Sequence, residues 1–154
     1  MNLEIERKLR CLKSDKDVAE LIDLLTLVDS KCMDKDLSAM VVEQSKLGTI
    51  YLLKFIVLYS KKSVFFFKLL QLDLPGIVLF CYQTNPNDTV ILFVEGWRMM
   101  GPLWTVVADK ALLLIKLFNN ETVLRSVLTD LLDQTNEEKR LDQIISTLNV
   151  LTSL

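Results

Sequence analysis

Residues 47–60 read LGTIYLLKFIVLYS, a run in which Lys54 is the one formal charge. Two kinds of structure bury such a stretch. A membrane span needs roughly 20 consecutive apolar residues, and this run is shorter and carries a lysine near its middle. A helix enclosed by other helices is apolar on nearly every face because every face meets protein. The stretch is therefore expected to be the central helix of an all-α domain. The Ser-Lys-Lys at 60–62 closes it, with cations near the negative end of the helix dipole.

The surrounding sequence has the same grain. Hydrophobic residues make up 51% of the 154, and mean hydropathy is +0.32, so a membrane protein has to be considered. The later apolar stretches are broken by Lys68, Asp73, Pro75, Asp88 and Glu95, however, and none is long enough to span. Strand-like alternation is scarce, and Leu-rich segments divide at polar residues as in a helical domain. Helices are predicted at Leu3–Leu12, from Ser14 through Val28, at Asp34–Gln44, Val64–Leu72, Leu74–Gln83, Asp88–Met100 and Leu103–Phe118, then at Glu121–Asp133 and Glu137–Leu151. Ser14 with Asp17 makes a capping-box pattern, and Val18, Leu21, Ile22, Leu25 and Val28 follow helical spacing. Pro75 suits a first turn, where its missing N–H costs nothing. Phe65, Phe66 and Phe67 stand about 100° apart on a helix, so at least one must turn away from the local core.

One phrase recurs. TNPNDTV at 84–90 and FNNETV at 118–123 each follow an apolar run with Asn, an acid and Thr-Val. The Asn is expected to cap a new helix, the acid to complement its dipole, and Val90 or Val123 to begin the buried stripe. Val64 opens a similar segment, giving intervals of 26 and 33 residues (64 to 90, 90 to 123). Helical pairs that cannot bury their own apolar faces stack on one another. The expectation is a single domain over 1–154, a right-handed stack of eight to ten helices, with 137–151 as its capping helix or a self-association surface.

This pattern resembles the armadillo and HEAT class of helical repeats, whose turns often carry Asn-Pro as NPND does here. A narrower resemblance covers residues 20–104. Lys35-Asp36-Leu37, then Leu47, Ile50 and Leu53, then Trp97-Arg98 are similar to the helical N-terminal domain of TFIIS, Elongin A and Interacts-with-Spt transcription elongation factors. The closing helix lacks the lysines that family places beside its Trp, and the C-terminal third lies outside the match. The resemblance implies docking of short peptide segments of partner proteins, in a nuclear transcription or chromatin complex.

Chemistry is poorly provided for. The chain has no histidine, which removes the usual general base, the commonest metal ligand and every imidazole triad. Cys11, Cys32 and Cys81 have no zinc-knuckle spacing, and the four glycines form no phosphate loop. Glu95 is the one carboxylate singled out as a catalytic candidate, and pairing with Arg98 is its plain explanation. No enzyme, cofactor or metal is expected. A formal charge of −2 with interleaved signs predicts no direct nucleic-acid binding, and Lys54, Lys61 and Lys62 read as a solvated helix end. The charged N-terminus predicts no secretory signal, and the unpaired cysteines suit the nucleus or cytoplasm.

The binding expectation rests on EGWRMMGPLW at 95–104. Trp and Arg dominate interface hot spots, and Met supplies adaptable apolar surface. Gly96 admits a close neighbour. Trp97, Arg98 and Trp104, with Tyr82 and Gln83 on the preceding helix, are the candidate anchors for a partner peptide. The plainer alternative makes the two tryptophans core residues at the Gly101-Pro102 corner. In this reading the chain is a non-enzymatic adaptor. A helical bundle of the Bcl-2-like kind, taking a partner helix in a groove, is the alternative, and the order of helix contacts separates the two.

Overall fold

Ser14 sets the first long helix. Its Oγ accepts a hydrogen bond from the Asp17 N–H at 3.2 Å, and the Asp17 carboxylate reaches back to the Lys13 N–H at 2.9 Å. The first bond is the cap that the sequence pattern predicts, and the second goes to the Lys13 N–H, one residue before the cap, where a full capping box would pair the Ser14 N–H. The computed structural model describes residues 3–28, 30–47, 50–107 and 110–111. Among them lie seven α-helices: α1 (Leu3–Arg10), α2 (Asp15–Thr26), α3 (Ser30–Gln44), α4 (Ile50–Lys62), α5 (Val64–Leu70), α6 (Leu74–Thr84) and α7 (Pro86–Met100). A 3-10 turn at Ser45–Leu47 links α3 to α4, and residues 102–107 are also helical. The described residues contain no strand.

The helices bury the stripes that their spacing foretells. Ile5 and Leu9 on α1, Val18, Leu21, Ile22 and Leu25 on α2, and Leu37, Met40 and Val41 on α3 all enter one hydrophobic core. Val28 lies beyond the end of α2 but still packs against it. On α4, Leu52, Leu53, Phe55, Ile56, Val57, Tyr59 and Ser60 are buried, a set that covers almost the whole circumference. Lys54 escapes at the surface, where its Nζ meets the Asp15 carboxylate at 2.5 Å. Phe66 and Phe67 on α5 point into the core, and Phe65 is the one of the three that turns outward.

Helix α4 is the hub. It packs against α2, α5, α6 and α7, while α3 lies on α5, α6 on α7 and α1 on α2. Contacts therefore join helices two and three places apart as well as sequence neighbours. This is an all-α fold organised around α4. Only one copy of the Asn-acid-Thr-Val phrase falls among the described residues. The second copy at 118–123, the C-terminal part of the Leu103–Phe118 helix, and the 137–151 helix with its self-association surface lie outside them.

The described copy works differently from expectation. The helix starts at Pro86, two residues before Asp88, because Asn85 serves two helices at once. Its N–H donates to the Cys81 carbonyl at 2.8 Å and ends α6, and its own carbonyl accepts from the Thr89 N–H at 3.1 Å and begins α7. Thr89 Oγ1 donates to the same carbonyl at 2.7 Å and is buried there. The Asn85 side chain donates through Nδ2 to the Asp88 carboxylate at 2.9 Å. Pro86 sits where a helix has no use for an N–H.

Candidate interaction surface

The EGWRMMGPLW segment forms a corner. Gly101 takes a left-handed φ of 57°, a conformation that costs glycine nothing. The chain turns there, and residues 102–107 bring Trp104 back over α7. Trp104 is 1% exposed, with Phe67 and Phe93 at ring-centroid distances of 6.4 Å and 6.0 Å. Its indole lies against Gly96, where an added Cβ would sit 2.6 Å from Cδ2 and 2.7 Å from Cζ2. No side chain fits between them, which is why α7 has a glycine at that point. Trp104 is thus a core residue of the corner, as the plainer alternative has it, and a partner docking at the surface does not reach its ring. The indole N–H has no protein partner among the described residues.

The other proposed anchors are dispersed. Arg98 is exposed and pairs with Glu95 on the same helix, so Glu95 has the plain explanation foreseen for it. Tyr82 is half-buried and packs against the core, and Gln83 is exposed near the end of α6. Gln83 lies beside the start of α7 and Arg98 near its end, roughly 18 Å further along at about 1.5 Å per residue. The structure therefore does not bring Arg98 and Gln83 into one cluster. Trp97 lies on α7, and its side chain is outside the described residues.

A cleft does occur between helices, at a place the sequence reading missed. Asp15 at the start of α2, Ile50, Tyr51 and Lys54 on α4, and Asp88, Ile91 and Leu92 on α7 enclose about 230 Å³. Its lining mixes the apolar side chains of Ile50, Ile91 and Leu92 with Tyr51, the Lys54–Asp15 ion pair and Asp88. Ile91 is 48% exposed, uncommon for an isoleucine in the middle of a helix. Asp88, Ile91, Glu95 and Arg98 follow one another at spacings of three, four and three, so they share one stripe of α7. Arg98 thus lies on the same outward face as the cleft, roughly 10 Å beyond Ile91. The sequence signal was present in that spacing, but it could be read only once Gly96 and Trp104 had fixed which side of α7 is inward.

Asp34 was also missed. Its carboxylate is 0% exposed and accepts from the Tyr59 hydroxyl at 3.0 Å and the Ser63 hydroxyl at 2.7 Å. Ser63 in turn caps α5 by accepting from the Phe66 N–H at 3.2 Å. An acid at a helix start is ordinary, and the sequence places Asp34 at such a start. Because α3 begins at Ser30, Asp34 falls instead on the buried stripe with Leu37 and Val41.

Burial pushes the Cys81 thiol up to about 11, so it stays protonated at neutral pH and is a poor nucleophile. Cys11 is exposed. Among the described residues no group of three or more Cys, Asp or Glu side chains could hold a metal ion. No single helix among them is long and apolar enough to cross a membrane. Comparison with known protein families, with curated proteins and with solved structures finds no match to this chain.

Proposed function

We propose that this protein is a non-enzymatic interaction module that docks a short segment of a partner protein along α7. The observation that carries this reading is the cleft between α2, α4 and α7, continuous along one helix face with Arg98. An apolar side chain of the partner fills the space over Ile50, Tyr51, Ile91 and Leu92. Arg98, one and a half to two turns away, offers a charged contact to the same segment once it parts from Glu95. An apolar anchor in a pocket with a polar rim is the usual arrangement of a binding hot spot. The chain's lack of histidine favours binding over catalysis.

The docked segment is extended or helical, and the packing of four helices around α4 favours a groove of the helical-bundle kind over one formed by stacked repeats. The test is a crosslinking pull-down from cell extract with the wild type, Ile91→Asp and Arg98→Glu. Both substituted side chains are exposed, so both variants are expected to unfold at the wild-type denaturant midpoint. A specific partner that both variants lose supports the reading. A partner retained by both moves the site away from α7.

A further inference from the structure

The elbow between α4 and α5 carries a second exposed surface. Val64 and Phe65 point outward from α5, Phe65 at 44% exposure, and Leu72 in the following turn is 85% exposed. On the opposite side of α5, Phe66, Phe67 and Leu70 are locked in the core, so the outward residues cannot fold in. Lys61 and Lys62 stand immediately before this apolar face and Lys68 within it, all three exposed. None of the three forms an ion pair among the described residues. Asp73 is the one acid on the α5 turn.

We infer that this elbow is a peripheral docking site for an anionic lipid surface. Three uncompensated cations around exposed Phe, Leu and Val form the combination that settles at a headgroup boundary, with apolar side chains inserted and lysine stems reaching back to phosphate. The face is short, confined to α5 and the turn after it. A bilayer needs neither a groove nor a free strand edge, and the apolar side chains beside the lysines have a hydrocarbon boundary to enter. A second copy is a poor occupant, because a two-fold contact would set the same lysines against each other. The α5 and α6 helices together have the length and apolarity of a span but bend by 79°, and α6 spends most of its apolar side chains on the core. The contact is therefore superficial.

The test is co-sedimentation of the full chain with vesicles of phosphatidylcholine alone and of phosphatidylcholine with phosphatidylserine. Binding is expected only to the anionic vesicles and is expected to fall as salt rises. Lys61→Ala/Lys62→Ala/Lys68→Ala is expected to weaken it about 100-fold, at roughly fivefold per lysine. Phe65→Ser/Leu72→Ser should abolish it while the denaturant midpoint stays at the wild-type value. Equal binding to both vesicle types, insensitivity to salt, or unchanged binding by the lysine variant overturns the proposal. So does capture of a soluble acidic protein through the elbow without vesicle binding. The lysine variant is expected to keep any partner lost by Ile91→Asp, so failure at one surface does not imply failure at the other.

Discussion

Gly96 and Gly76 both lie inside helices, yet a methyl group would have opposite effects at the two positions. An added Cβ at Gly76 meets nothing within 4 Å, and at Gly96 it drives into the Trp104 ring. Gly76→Ala is expected to raise stability by about 0.5–1 kcal/mol through reduced freedom of the unfolded chain. Gly96→Ala is expected to lower it by about 1–3 kcal/mol, because the ring must shift within a packed core. Urea unfolding of the two variants checks both signs. Equal effects would mean that Trp104 is not seated on Gly96. The sequence identified Gly96 as a point of close approach and Gly101-Pro102 as a corner, because both follow from backbone chemistry. Which ring approaches Gly96 depends on where residues 102–107 return, and no local rule gives that.

At the scale of elements, Asp34 ties three helices together. Its carboxylate on α3 takes hydroxyl donors from Tyr59 on α4 and from Ser63, the cap of α5. Asp34→Ala removes the acceptor shared by the buried Tyr59 hydroxyl and the half-buried Ser63 hydroxyl and is expected to cost roughly 2–5 kcal/mol. Asp34→Asn keeps one acceptor and should cost clearly less. Denaturant unfolding ranks the pair, and an Asp34→Ala variant as stable as the wild type would remove the network as a determinant of the α3–α5 packing. Helix starts at Ser14 and stripes such as Val18, Leu21, Ile22 and Leu25 were legible in advance, since each depends on residues within one or two turns. The start at Pro86 was displaced by two residues because Asn85 is shared with the preceding helix.

For the whole molecule, Cys81 reports on the core through pH. Burial raises its thiol from 9.0 to about 11. On raising the pH the unfolded chain therefore loses this proton first, and its thiolate draws the equilibrium towards unfolding. The stability contributed by this group is fully present below pH 9 and is lost as pH climbs towards 11. Between pH 8 and 10.5 the wild type is expected to lose more stability than Cys81→Ala. Parallel curves for the two in urea would show that the thiol is not buried in the folded protein. The same core determines what the surface can do, because Trp104 is absorbed into it while Ile91, Arg98 and Phe65 remain outside.

The sequence alone determined the helical class, the cap at Ser14, the buried stripes and the central place of the 47–60 stretch, whose helix runs from Ile50 to Lys62. Each of these follows from short-range periodicity and from backbone donors that must be satisfied. The tertiary structure alone decided that four helices meet on α4, that Asp34 is interior, that Trp104 seals the Gly101 corner, and that an open cleft lies between α2, α4 and α7. Those are facts about which side of each helix meets another, and helix pairing is set by the joint packing of distant residues rather than by any local spacing.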